Sequence, residues 1–358
     1  MPARLLFDAH LDLAMNALEW NRDLTQPVVF IREVEKDMED KPDRGHATVS
    51  LSEMRKANIG ICVATLIAKY VPQGHYYLKG WRSQEQAWAQ TQGQWAWYKA
   101  MEATRRMKAI TNWQDLQQHL ESWENDPENT PIGYILSLEG ADSIYRLEEL
   151  ELSWERGLRA IGPAHYGPCV YAFGTDSDGP LPEKGKDLLR EMDRIGYILD
   201  ASHLSDQCFW EALEIYQGPV WASHNNCRSL VPHNRQFSDD MIRALLERGS
   251  VIGAVLDAWM IIPGWERRVT TPESADLHLD QWVDHIDHIC QIAGHAGQVA
   301  IGSDLDGGFG NNQTPLEIQT IADLQKVPEL LQKRGFSAAD IDGIFHGNWL
   351  RFLKKHWK

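Results

Sequence analysis

Eight short apolar runs recur in order along the chain, at residues 4–9, 59–68, 131–138, 158–164, 197–202, 219–223, 250–256 and 298–303. Each is nearly continuous, the pattern of a parallel strand covered on both faces. The stretches between them carry helical periodicity. Leu188, Leu189, Met192 and Ile195 fall on one face ahead of Gly196, and Met241, Ile242, Leu245 and Leu246 repeat the pattern between Ser238 and Gly249. Ser337 and Asp340 open a last helix as a variant capping box. Parallel strands need long crossovers, so eight such units predict an α/β chain folded as a (β/α)8 TIM-like barrel. The 358 residues are read as one barrel domain, 1–358, with a mostly helical, Trp-rich insertion at about 71–130 between the second and third strands. The charged segment 32–46 reads as a solvated loop after the first strand, the alternative being a partial roof over the active site.

A second pattern lies at the ends of these runs. Functional side chains of barrels gather where the strands end. Here His10 and Asp12 follow the first strand, Glu139 the third, His165 the fourth, His203 the fifth, His224 the sixth and Asp304 the eighth. One polar strand end is ordinary; six on one rim are not explained by packing. His10 and Asp12, two apart, share a face. Imidazole and carboxylate without thiolate suit Zn2+ or a similar divalent ion, and a central carboxylate can bridge two ions. Two ions about 3.5–4 Å apart share a water, lower its pKa and polarise a carbonyl.

The remaining candidates are weaker. Asp306 stands two residues past Asp304 and is the less favoured of the two for chemistry, while Asp200 reads as a buttress of its strand end. His285 and His288 share a helical spacing and are assigned to surface or packing. The five cysteines, Cys62, Cys169, Cys208, Cys227 and Cys290, form no CxxC pair and suit reduced thiols in a cytoplasmic protein. Against 35 Lys and Arg stand 51 Asp and Glu, a net charge of −16 that repels phosphate, so neither nucleic acid nor an anionic membrane is an expected partner. No apolar run reaches the roughly 18 residues that span a bilayer, and the N-terminus carries no signal-peptide pattern. A homodimer is compatible with this size and charge, although no interface is marked in the sequence.

Taken together, Asp8-Ala9-His10-Leu11-Asp12, Ser137-Leu138-Glu139-Gly140, the block 181–205 ending in Asp200-Ala201-Ser202-His203-Leu204-Ser205, Ala222-Ser223-His224, Gly302-Ser303-Asp304-Leu305-Asp306-Gly307 and Gly347-Asn348-Trp349-Leu350-Arg351 resemble the membrane (renal) dipeptidase family of the amidohydrolase superfamily, in a soluble bacterial form. The resemblance covers most of the chain. It implies a zinc-dependent dipeptidase with two Zn2+ ions, His10 and Asp12 on one, His203 and His224 on the other. Glu139 and a water or hydroxide bridge them, and that hydroxide attacks the peptide bond. It further implies that His165 stabilises the oxyanion and that Asp304 moves a proton from the water to the leaving amine. Arg235 would hold the substrate carboxylate, with Arg228 as second candidate. No lysine ends the fourth strand, so a carbamylated-lysine bridge is not supported.

Two segments depart from the family pattern. Residues 165–174 lack the usual Thr-His with a downstream Asn, and Val255-Leu256-Asp257-Ala258-Trp259-Met260 stands where an Asn-aromatic pattern is typical. Both would line the substrate pocket. Small dipeptides, including those with a D-residue at the C-terminal position, are the first expectation. An N-acyl amino acid, another small amide or a lactone is the alternative substrate class, and a non-catalytic metal-binding scaffold is a third reading.

Overall fold

The computed structural model describes residues 3–71 and 79–357; His75, given no ligand role above, lies outside them. Among the described residues the eight expected strands all form: β1 (Leu6–Leu11), β2 (Ile59–Ile67), β4 (Ile132–Glu139), β5 (Leu158–Gly162), β6 (Ile198–Asp200), β7 (Val220–Trp221), β8 (Ile252–Ala254) and β9 (Val299–Ile301). A ninth, β3 (Met107–Ala109), was not expected. The order β1-β2-β4-β5-β6-β7 is hydrogen-bonded and parallel throughout, and β8 pairs with β9. A single bridge between Ala222 and Ile252 joins the two sheets. The N–H of Asp304 donates to the carbonyl of His10 (3.2 Å) and the N–H of Ser303 to Asp8 (2.9 Å), which closes the ring. Where β7, β8 and β9 converge, a Cβ on Gly253 or Gly302 would lie 2.0 or 1.7 Å from the carbonyl oxygen of Ser223, so only glycine permits that approach.

Inside the ring Phe7, Ile61, Val63, Ile135, Ala160, Ile198, Trp221 and Ala300 form one buried cluster, and the larger cluster lies between the strands and the helices. The C-terminal helix Asn348–His356 stoppers this inner cluster. Trp349 packs 5.9 Å from Phe7 and 5.8 Å from Trp221, and its indole N–H donates to the carbonyl of Ile301. That accounts for the Gly-Asn-Trp-Leu-Arg motif: it seals the base, leaving the other end of the barrel for chemistry. Ser337 and Asp340 do form a capping box, but the helix they open is interrupted by a π turn over Gly343–Gly347. The helices Glu183–Ile195 and Asp239–Glu247 bury the faces expected of them, and Gly196 closes the first in the left-handed conformation.

Two expectations need correction. The insertion after β2 holds helices Gln84–Ala103 and Trp113–Asn125 as expected, but between them β3 lies along the first half of β4, ahead of the point where β5 takes over that edge. Three residues are too few for a periodicity to declare itself. The charged segment 32–46 is not simply a solvated loop. Its start belongs to the helix Val28–Glu35, and Glu35 and Asp43 are buried against Arg22, with Nε–Oε1 and Nη2–Oδ2 distances of 2.8 and 2.9 Å. Buried charges persist when paired, and the partner lies outside the segment that looked solvated.

His285 is a packing residue in the helix Leu279–Ala293. Its Nδ1 accepts from the Cys227 N–H (3.1 Å) and its Nε2 lies 3.0 Å from the carbonyl of Ile261. Burial pushes its pKa down to about 4. The unfolded imidazole titrates near 6.5, so between the two values the unfolded state binds more protons. Stability present above pH 6.5 is therefore lost as the pH falls toward 4, by about 3 kcal/mol from this group. In His285→Gln the amide reproduces both contacts without titrating. Urea unfolding between pH 4 and 7 is expected to show a shallower acid slope in the variant; an unchanged slope would assign the acid sensitivity elsewhere.

Candidate metal centre and active site

The upper ends of the strands deliver all seven polar residues to one place. On β1 a register irregularity between Asp8 and Leu11 changes the parity of the strand. Phe7 and Ala9 below it fill the barrel interior, while His10 and Asp12 above it reach the site. Asp8 is thereby freed to tie the seam, accepting from the N–H groups of His10 and Ser303. Asp200 does the same between β6 and β7, accepting from the N–H groups of Ser202 and Ser223.

Glu139 is the hub. Its Oε2 lies 3.5 Å from His10 Nε2, while its Oε1 lies 3.1 Å from His203 Nε2 and 3.5 Å from His224 Nε2. One oxygen thus addresses each donor set. His10, Asp12 and Glu139 form one cluster with metal-ligand spacing, and Glu139, His203 and His224 form another. A third cluster joins His10 and His224 to Asp304, whose Oδ1 is 3.8 Å from His10 Nε2. All but Asp304 are buried.

These residues suit a cation on two independent counts. His10 Nε2 is buried without a hydrogen-bond partner, and the Nε2 atoms of His203 and His224 face each other at 3.1 Å. Their other ring nitrogens are occupied. Ser223 Oγ lies 3.1 Å from His10 Nδ1 and 2.8 Å from His224 Nδ1, and Thr175 Oγ1 lies 2.9 Å from His203 Nδ1. A hydroxyl has one proton, so at least one imidazole must donate to Ser223 and present the Nε2 lone pair inward. Thr65 donates to Asp12 in the same supporting manner.

The charges agree with that reading. Burial disfavours a charged His10, yet Glu139, Asp12 and Asp304 around it raise its pKa to about 10. Burial and the neighbouring Glu139 push Asp12 up to about 7, and burial with Asp12 and Glu139 raises Asp304 well above the carboxylate range. Three carboxylates at this spacing call for positive charge. Burial holds His203 and His224 well below the ordinary histidine range, as neutral donors, and takes His165 to about 4.

A cavity of about 190 Å³ opens onto the cluster, and Asp12, Glu139, His165, His203, Arg235 and Asp304 all line it. His165 Nε2 is 3.9 Å from Glu139 Oε1, and its side chain keeps 25% exposure. Arg235 is buried; its Nη1 donates to Asn225 and its Nη2 to the carbonyl of His224 (2.9 Å). Arg228 is elsewhere, in a bidentate pair with Asp206 at 2.6 Å, and does not line the cavity. Asp306 is also committed: the N–H groups of Thr48 and Val49 donate to it at 2.7 and 2.9 Å, and Arg22 stands 3.6 Å away. His203, Asp304 and Asp306 all take a left-handed backbone, with φ of 68, 59 and 64°. For residues with a Cβ that is strain, and it falls at the rim.

Some contributors were expected only as part of a pocket-lining segment, and others carried no sequence signal. Tyr166, Asp257, Met260 and Arg267 also line the cavity. Three of them lie in the two segments that depart from the family pattern; Arg267, farther along, carried no signal. Ser223 could have been suspected from its place beside His224, whereas Thr65 and Thr175 could not.

Solved structures share this fold. A crystal structure of dipeptidase AC, a metallopeptidase, aligns with a TM-score of 0.80 over 99% of both chains at 20% identity. A Rhodobacter sphaeroides metallopeptidase liganded with a phosphinate mimic of L-Ala-D-Ala aligns at 0.78, over 99% of this chain and 100% of that one, also at 20% identity. By sequence, dipeptidase verJ of Clonostachys rogersoniana is 32% identical over 232 residues, 62% of this chain; the match spans about half the length of that relative, 55%. No helix among the described residues is long and apolar enough to cross a membrane. Residues 1–357 match the membrane dipeptidases, peptidase family M19, and the chain belongs to that family.

Proposed function

We propose that this protein is a zinc-dependent dipeptidase that holds two ions and cleaves the peptide bond of small dipeptides. The observation that carries this reading is the division of labour on Glu139, whose two oxygens face separate donor sets. His10 and Asp12 would hold one ion, His203 and His224 the other, with Glu139 common to both. An all-nitrogen and oxygen donor set of this kind suits zinc. When bound, such a pair supplies a water that is nucleophilic at neutral pH. The five unpaired cysteines fit a cytoplasmic setting.

The protein residues then have separate tasks. His165, kept neutral by burial, donates a hydrogen bond to the carbonyl oxygen as negative charge develops on it. Asp304 carries a proton from the attacking water to the leaving amine. Arg235 fixes the substrate's terminal carboxylate and so the register of a short peptide. Gly307 sets where Asp304 can be, because a Cβ there would sit 1.9 Å from Asp304 Oδ1. Gly307→Ala displaces that carboxylate, and the expected result is a kcat lower by roughly 100-fold with metal content unchanged. A variant of wild-type kcat would show that Asp304 needs no such placement.

The test of the whole reading joins metal analysis to a substrate panel. Purified protein is assayed on L,L- and L,D-dipeptides beside N-acyl amino acids and lactones. Turnover of dipeptides with about two zinc ions bound is expected. Metal-loaded protein inactive on every dipeptide, but active on an acyl amino acid or lactone, would replace the dipeptidase by an amidohydrolase of another specificity.

A further inference from the structure

The catalytic cavity has a neighbour. Arg267 and Gly308 line it and also a second cavity of about 440 Å³, whose wall includes Arg268, Thr270, Asn312 and Gln313. The one acidic residue on that wall, Asp43, is already engaged by Arg22 and the indole N–H of Trp20. With Asp43 engaged, Arg267 and Arg268 leave the second cavity cationic, and the boundary between the two is a guanidinium.

Arg267 is positioned but not used up. One Nη2 lies 2.8 Å from Asp257 Oδ2, and the guanidinium carbon sits 5.4 Å from the ring centre of Trp259. Asp257 is buried at the end of the β8 loop and also accepts from Trp259 (2.6 Å) and Gln313. Its charge is shared among three donors, so it holds Arg267 in place without saturating it. No other hydrogen bond from Arg267 is formed among the described residues, and its side chain keeps 49% exposure. Four of its five N–H groups remain for an incoming anion, in the planar fork that matches a carboxylate. Arg235 differs: it is buried, with two N–H groups already donated to the protein.

We infer that Arg267 is a specificity residue that takes the side-chain carboxylate of an acidic dipeptide, the side chain reaching from the catalytic cavity into the second one. The inference rests on the dipeptidase reading above, with Arg235 holding the terminal carboxylate. A glutamate side chain differs from glutamine only in charge and donor pattern, which isolates the contact.

The experiment compares kcat/KM for Ala-Glu with Ala-Gln and for Glu-Ala with Gln-Ala, each with an L- or D-residue at the C-terminal position. It uses the metal-loaded wild type, Arg267→Met and Arg267→Lys. Wild type is expected to favour Glu over Gln by about tenfold or more in at least one pair. The ratio falls to about one in Arg267→Met and lies between in Arg267→Lys, which keeps the charge but loses the fork. Being a ratio, it is insensitive to a general loss of activity in either variant. A wild-type ratio near one, or a ratio unchanged in Arg267→Met, overturns the inference. So does an equal loss on acidic and neutral substrates with the ratio intact, which would place the terminal carboxylate on Arg267. Turnover of no dipeptide at all would instead overturn the dipeptidase reading.

Discussion

Glu139→Gln is expected to lose both metal ions together and to lower kcat/KM by a factor on the order of 1,000. The substitution is nearly isosteric, so the effect comes from chemistry and not from volume. A carboxylate offers lone pairs from both oxygens, and here Oε2 faces His10 while Oε1 faces His203 and His224. An amide keeps one acceptor and points two N–H donors at whichever histidine faces the nitrogen. One donor set then meets hydrogens where it needs a lone pair, and the shared negative charge is gone. Metal content after dialysis is the direct measurement. Thermal unfolding with and without chelator is the second, because a ligand that binds only the folded state raises its stability. The wild type should lose stability on chelation and the variant should not respond. Retention of both ions would refute the bridging role, and loss of one ion alone would make Glu139 an ordinary ligand of a single metal.

The parts of this protein that were legible in its sequence share a physical property: they are set by short-range pattern. A parallel strand buried on both faces must be apolar throughout, so β1, β2 and β4 to β9 show themselves. A polar group at a strand end is marked by its place immediately after that run, which is why His10, Asp12, Glu139, His165, His203, His224 and Asp304 could be named as candidates. The base of the barrel was legible only as a motif, because Trp349 means nothing until it meets Phe7 and Trp221. What stayed hidden is long-range. Glu35 and Asp43 look solvated until Arg22 is found between them. Thr65 supports Asp12 from the neighbouring strand, 53 residues away, and Arg267 reaches the cavity through its pairing with Asp257. No periodicity reports such contacts, although they support the ligands and bring Arg267 to the pocket wall.

Asp304→Asn is expected to keep the metal and lose the reaction, with kcat down by about 1,000-fold and KM little changed, the range by which positioned acid–base groups accelerate proton transfer. Several carboxylates stand near this rim, and their hydrogen bonds distinguish them. Asp8, Asp200 and Asp306 each accept from backbone N–H groups. A carboxylate so held is fixed as an acceptor and is a poor carrier of protons. The Asp304 carboxylate accepts no hydrogen bond among the described residues, lines the cavity and keeps 14% exposure. Its left-handed backbone and the bare Cα of Gly307 aim it there at a cost in strain. Asparagine preserves that shape and cannot take up a proton. The rival role is ligation, since Asp304 also clusters with His10 and His224 at metal-binding distance. Metal analysis separates the two: loss of an ion in Asp304→Asn would make it a ligand, whereas full metal content with a collapsed kcat assigns it the proton. Asp306→Asn is the matching control. Its carboxylate is bound to Thr48 and Val49 beside Arg22, so its loss should lower the unfolding temperature while the metal-loaded protein keeps most of its kcat.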